Sequence, residues 1–140
     1  MAEFLSSGVE AELRLLDRLA DLPEDLQAEI LTAQAREVVE AVREFGRRYH
    51  VKRTGNTLRS LTASKPKRDK DGHMSATVTF VGKNEKGVRY AEIAFVNNYG
   101  KKTQEARLFY TNGVTAAEKR AFKIAEKKYN AWADAQERKG

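Results

Sequence analysis

The clearest alternation in the chain is Met74, Ala76, Val78 and Phe80, with Ser75, Thr77 and Thr79 between them. A period of two with one apolar face predicts a half-buried strand. Asp71-Gly72 supplies turn chemistry just before it, and residues 62–67 supply a second extended segment. The two read as an antiparallel hairpin with a charged tip over 67–72. Helical spacing governs elsewhere. Val9, Leu13, Leu16 and Ala20 recur at three- and four-residue steps and predict a short amphipathic helix from about Val9 to Ala20. Leu22-Pro23 breaks it, and Pro23 suits the first turn of a second helix. That helix is predicted to run to about Tyr49. Its apolar stripe is Leu26, Ile30, Ala33, Val38, Ala41 or Val42, Phe45 and Tyr49. Glu24 and Asp25 stand where its dipole favours negative charge, and Arg43, Arg47 and Arg48 complement its other end. A last helix is predicted from the capping-box pattern Thr115-Ala116-Ala117-Glu118 to about Gln136. Val114, Ala117, Ala121, Ile124 or Ala125, Tyr129 and Trp132 form its stripe.

The connections carry less regular patterns. Residues 50–56 read as a loop, where Gly55 permits a backbone that other residues resist and Thr54 can cap a turn through Leu58. Residues 82–87 form a second turn. Residues 88–99 fit a strand, yet Tyr90, Ile93 and Asn97 share one helical face. A strand start passing into a short helix that ends near Gly100 accommodates both. Residues 101–105 are a polar loop, and Phe109 and Tyr110 look like core anchors. The expected fold class is α+β: N-terminal helices, a small antiparallel sheet with a long hairpin, and a C-terminal helix. One domain is expected over 1–140, with a short helix or arm over 1–21, a core over 22–136 and a tail over 137–140.

Composition narrows the function classes. Hydrophobic content of 41% and charged content of 33% in 140 residues describe a soluble globular chain. No apolar run approaches the roughly 20 residues of a membrane span. The N-terminus has no basic start followed by an apolar stretch, so a cytoplasmic location is expected. The absence of cysteine excludes disulfides, thiolate metal sites and cysteine nucleophiles. The formal charge of +6 conceals an asymmetry: residues 1–42 carry a net −7 and residues 43–70 a net +8. Such unlike segments can satisfy each other within a monomer or pair head to tail between subunits. Arg47, Arg48, Lys52, Arg53, Lys65, Lys67, Arg68 and Lys70, with Arg43 and Arg59, load the middle of the chain. The nearby aromatics Phe45 and Tyr49 already serve the helix stripe. The charge therefore points to phosphate or to an acidic protein surface, not to base readout.

Catalytic chemistry is thin. His50 and His73 lie in charged loops, and no short spacing of carboxylates or imidazoles makes a metal site. Asp69 and Asp71 flank a hairpin tip and read as solvated turn residues. Thr54-Gly55-Asn56 lacks the other glycine and the Lys-Ser/Thr pair of a phosphate loop, and Ser60 has no evident base. The chain is expected to be no enzyme, with no catalytic residues, no metal and no cofactor.

Two signatures remain. The first is Lys52-Arg53-Thr54-Gly55-Asn56-Thr57-Leu58-Arg59-Ser60-Leu61. The second runs from Arg89-Tyr90-Ala91 to Asn97-Asn98-Tyr99-Gly100 and on to Ala106-Arg107-Leu108-Phe109. With the Leu22-Pro23 step before them, they resemble the tail-completion or neck-protein family of long-tailed bacteriophages. That family shows a Leu-Pro step, a Thr-Gly-x-Leu-x-x-Ser signature, a hairpin, a Tyr-Ala-x-x-x-x-x-Gly signature and an Ala-Arg-Pro-Phe step into a final helix. The match covers about residues 20–135. Here one extra residue separates Gly55 from Leu58, the span from Tyr90 to Gly100 is longer, Asn97 or Asn98 stands where an acid is common, and Leu108 replaces proline. The resemblance implies a non-enzymatic virion part at the head–tail junction, assembled in the host cytoplasm. It implies head-connector and tail-terminator or tail-tube proteins as partners, self-association in a ring, and non-specific contact with DNA in the channel. Thr54, Gly55, Leu58, Ser60, Tyr90, Ala91, Gly100, Arg107 and Phe109 would then serve fold and assembly.

Overall fold

A computed structural model describes residues 2–15, 22–51, 55–68 and 70–139, with side chains from Phe4 onward. The chain opens with a hairpin. β1 (Ala2–Ser7) and β2 (Glu10–Leu15) pair antiparallel, with Phe4 opposite Leu13 and Ser7 opposite Glu10. Gly8, at φ +61, makes the turn together with Val9. Over residues 9–15, the described part of the helix expected over 9–20, this hairpin stands instead. Val9, Ala11, Leu13 and Leu15 are buried, whereas Glu12 and Arg14 are half-buried, so the working period is two. Leu13 fits either period. The residues that favoured the helical one, Leu16 and Ala20, lie outside the described residues. Pairing decides the outcome, because β2 lies against the central strand β5 (Met74–Phe80), Ala11 opposite Val78 and Arg14 opposite Ser75.

β3 (Leu61–Ala63) and β4 (Lys67–Arg68) both lie along the other side of β5, completing a sheet of order β1-β2-β5-β3. The single strand expected over 62–67 is thus interrupted at residues 64–66, where Pro66 has no N–H to give a ladder. The hairpin tip falls at Gly72, φ +82, as the Asp71-Gly72 pair suggests.

One long helix covers the sheet's apolar face, and a second packs along that helix. α1 (Glu24–Arg48) starts behind Pro23 as expected. Its buried stripe is turned slightly from the expected one, so that Gln27, Gln34 and Gly46 point inward. Both glutamines donate from Nε2 to backbone, Gln27 to the Leu22 carbonyl at 2.7 Å and Gln34 to the Ala121 carbonyl at 3.0 Å, while the buried Oε1 of Gln34 accepts no hydrogen bond from the described residues. α2 (Asn56–Arg59) is the short turn expected before β3. α3 (Tyr90–Tyr99) is helical from its first residue; the expected strand start reduces to one bridge between Lys83 and Arg89. α4 (Phe109–Lys139) begins six residues before Thr115 and continues past Gln136, so the expected tail is helical through Lys139. Thr115 is interior to it, its hydroxyl donating to the Thr111 carbonyl at 3.0 Å.

α1 and α4 run antiparallel in close contact. At Gly113 a Cβ would lie 2.7 Å from the Val42 Cα, so only glycine lets the two backbones approach this far. At the start of α4, Phe109 and Tyr110 enter the core beside Phe80, with ring centroids 6.3 and 6.4 Å from it. α3 closes the end of the sheet where β5 leaves and the β1–β2 turn lies. It is tied there by the Tyr90 amide on the Gly82 carbonyl at 3.0 Å and the Tyr99 hydroxyl on the Gly8 carbonyl at 2.8 Å.

Tyr110 gives this core a pH dependence. Its side chain is 1% exposed and its hydroxyl lies 3.4 Å from Ser6 Oγ. Burial, helped by Tyr99 and Glu10, pushes the phenol up to about 12 against the opposing pull of Ser6. A raised folded-state value means stability that is complete below the ordinary value of 10.0 and is lost as pH rises towards about 12. Denaturant titrations of the wild type should therefore show a fall over that window. Tyr110→Phe should flatten it by up to about 1.4 kcal/mol per pH unit. An identical slope in both proteins would show that Tyr110 ionises without opening the core.

Candidate functional site

The first signature folds as a joint between α1, α2 and β3. Gly55 stands at φ +78 immediately before α2, a conformation that favours glycine. Thr54, Lys52 and Arg53 lie outside the described residues, so the expected cap at Thr54 falls there too. Leu58 is buried against Gly46, whose missing Cβ is what makes room for it. Ser60 bends back, its hydroxyl donating to the Thr57 carbonyl at 2.7 Å and its amide to the Asn56 carbonyl at 3.0 Å. Arg43 reaches across from α1 to bind three carbonyls, Leu58 and Leu61 at 3.0 and 3.1 Å and Arg59 at 3.2 Å. A guanidinium holds such a cluster through its fixed fork of donors. The sequence reads Arg43 as complementing the end of α1 within the basic middle of the chain; its three carbonyl partners make it a structural clamp.

The second signature folds as a joint between α3, a pinned loop and α4. Asn98 is fully buried. Its Oδ1 accepts from the Tyr110 amide at 3.0 Å and the Thr111 amide at 3.1 Å, and its Nδ2 donates to Thr111 Oγ1 at 2.9 Å. A residue eleven positions before α4 thus caps α4, answering the orphan N–H groups of its first turn. This explains why the helix starts at Phe109 rather than at the capping box. Gly100, at φ +80, turns the chain out of α3 where a Cβ would lie 2.7 Å from the Ala106 nitrogen. Arg107 donates to the His50 carbonyl at 3.0 Å and to Asn97 Oδ1 at 3.2 Å, while its own amide reaches the Asn97 carbonyl at 2.8 Å. Leu108, where proline was expected from the resemblance, sits at φ +50, a value proline cannot adopt. Tyr90 and Ala91 are half-buried at the start of α3, and Phe109 is fully buried. Asn97 and Asn98 belong to the second signature and Arg43 to the end of the second helix, yet local pattern assigned none of them these bonds. Their roles depend on partners distant in sequence.

The basic residues do not form one surface. Arg47 and Arg48 lie at the end of α1, whereas Arg68 pairs with Glu24 at its start, 3.2 Å away. A helix of 25 residues separates those points by roughly 35 Å at 1.5 Å per residue. Arg48 binds Glu44 at 3.0 Å and stacks 4.8 Å above the Phe45 ring, and Arg68 also donates to the Gly72 carbonyl at 2.8 Å. Arg47, Lys65, Lys67 and Lys70 are exposed. Part of the acidic start of the chain is engaged internally, Glu12 by Arg14, Glu24 by Arg68, and Glu29 and Glu37 by α4. Glu29 holds Lys128 at 2.8 Å, and Arg120 lies between Glu37 at 3.5 Å and Glu44 at 3.2 Å. Those hydrogen bonds raise the Arg120 pKa above its ordinary value, led by Glu44.

Two further surface features emerge. An open cleft of about 540 Å³ lies between the start of α1 and the end of α4, floored by Leu26, Ile124, Ala131 and Trp132. On α3 the Phe95 and Tyr99 rings pack 4.7 Å apart and remain 48% and 46% exposed. Among the described residues no group of three or more histidines and carboxylates is placed to hold a metal ion, and no helix is long and apolar enough to cross a membrane. No family model, no curated protein and no solved structure matches the chain.

The cap is open to direct test. Asn98→Leu removes the acceptor and strands two amides, so chemical denaturation should report a loss of about 1–3 kcal/mol for each amide that water does not reach. Asn98→Asp keeps an acceptor at a helix N-terminus and should lose much less at neutral pH. Equal losses in the two variants would mean that packing volume, not the cap, sets the value of Asn98.

Proposed function

We propose that this chain is a non-enzymatic structural component of a phage head–tail junction. In this reading it assembles in the host cytoplasm and joins a ring between head-connector and tail-terminator or tail-tube proteins. The observation that carries the reading is the ordered set of signatures. Their described residues act as joints: Gly55, Leu58 and Ser60 in one, Tyr90, Gly100, Arg107 and Phe109 in the other. The resembled family commonly carries an acid where Asn97 or Asn98 stands here, and an acid at Asn98 could accept the same amides of α4.

A second reading is nucleic-acid binding, favoured by the exposed Lys65, Lys67 and Lys70 beside the hairpin tip. In the junction reading the same charges touch DNA passing along the axis without reading its sequence.

Deleting the gene from an inducible phage that carries it should leave filled heads and free tails visible by electron microscopy. Adding the purified protein to that lysate should restore infectious particles. Intact virions from the deletion phage would end the junction reading. Gel shifts distinguish the rival: strong, salt-sensitive DNA binding abolished by Lys65→Glu, Lys67→Glu and Lys70→Glu together, in a protein dispensable for joining, would establish it instead.

A further inference from the structure

We propose that the α3 end of the molecule is a docking face for an acidic protein surface bearing apolar anchors. The inference goes beyond the junction reading and stands without it. Its first support is where exposed apolar surface collects. Of the seven exposed large apolar residues among those described, five, Val81, Val88, Phe95, Tyr99 and Leu108, belong to α3 or to the segments bound to its two ends, while Leu5 stands on β1 and Phe122 on α4. Val88 closes the turn before α3, its carbonyl accepting from the Asn84 amide at 2.8 Å; the Leu108 amide donates to the Asn98 carbonyl at 3.0 Å. Concentration of apolar side chains at one end of a chain marks an interaction surface more than a scatter of single residues does. The mixture of aromatic and aliphatic groups suits a protein partner, since aliphatic side chains offer no stacking platform for bases.

The second support is charge. Residues 81–108 hold six Lys/Arg and three Asp/Glu. Arg89 is engaged by Glu92 at 3.3 Å and Arg107 by carbonyl oxygens. Lys83, Lys86, Lys101 and Lys102 are exposed and stand beside the two ends of α3; with the exposed Glu85 and Glu105 beside them, the surplus there is two positive charges. A basic rim around an apolar centre is complementary to an acidic surface with apolar anchors. A second copy of this chain answers poorly. It carries a net +6, and four of the six carboxylates of α1, Glu24, Glu29, Glu37 and Glu44, are bound by Arg68, Lys128, Arg120 and Arg48.

The third support is preorganisation. The 101–107 loop is held by the Lys101 amide on the Gln104 carbonyl at 2.8 Å, by Gln104 on Asn97 Oδ1 at 3.1 Å and by Arg107. A face fixed before contact loses little conformational freedom on binding.

The probe is a synthetic 16-residue peptide alternating Glu or Asp with Leu and Phe, followed by amide chemical shifts of the labelled full chain. Shifts confined to residues 81–108, with affinity reduced at least tenfold by Phe95→Ser and by Lys101→Glu with Lys102→Glu, are the expected result. Thermal melts of the variants verify that each stays folded, and Val88→Ser serves in place of Phe95→Ser should that one unfold. The proposal is overturned by no binding, by shifts centred on Lys65–Lys70, by a thymidine oligonucleotide that competes at residues 81–108, or by concentration-dependent self-association mapped there.

Discussion

The buried carboxamide of Asn98 sets the position of everything that α4 touches. A helix start pushed into a core leaves amides that water cannot reach, and each unanswered amide costs on the order of 1–3 kcal/mol. Asn98 answers two of them and fixes the first turn of α4 on the last turn of α3. From that point the alignment of α4 along α1 follows by rise per residue. Gly113 meets Val42, the Ala121 carbonyl meets Gln34, and Lys128 meets Glu29. A start displaced by one residue would rotate the helix by about 100° and put Tyr110 and Val114 where solvent is.

The same economy governs the charges. Arg43 and Arg107 are drawn onto backbone carbonyls at the two joints, because loop carbonyls near the core need donors and a guanidinium reaches several at once. Carboxylates along α1 are matched by α4 across an antiparallel pair, in exposed positions where each bridge contributes little on its own. Their effect is organisational: the unlike charges of the two ends of the chain face each other within one molecule, and the surplus that remains outside is basic.

What the sequence showed and what it hid divide along sequence separation. The class, the central strand β5, helix α1 and the anchors Phe109 and Tyr110 were readable because each follows a local period or cap. The hairpin over 2–15 was not, because Val9 and Leu13 satisfy period two and period four alike, and only β5 as a partner selects between them. The start of α4 was misplaced because its cap comes from α3, eleven residues earlier, and mimics nothing in the local pattern. Arg43 looked like surface charge for the same reason: its three acceptors lie fifteen to eighteen residues on. The basic segment looked continuous because a sequence does not show that a 25-residue helix carries its ends apart.

α3 shows how one short element can serve fold and surface at once. Ala94 and Asn98, four residues apart, face inward and carry the packing and the cap. Phe95 and Tyr99, each one residue later, are turned by about 100° onto the outer side. The inner requirement is met by a methyl group and an amide, so nothing in the core asks for large rings on the neighbouring positions. Tyr99 does anchor its hydroxyl on Gly8, and Phe95 leans on the same turn, yet nearly half of each ring stays in water. An apolar ring left so exposed contributes less to folding than one fully buried, since the hydrophobic gain scales with area removed from water. The outer face of α3 is therefore free to be set by what the molecule meets, while the inner face is held by what the molecule is.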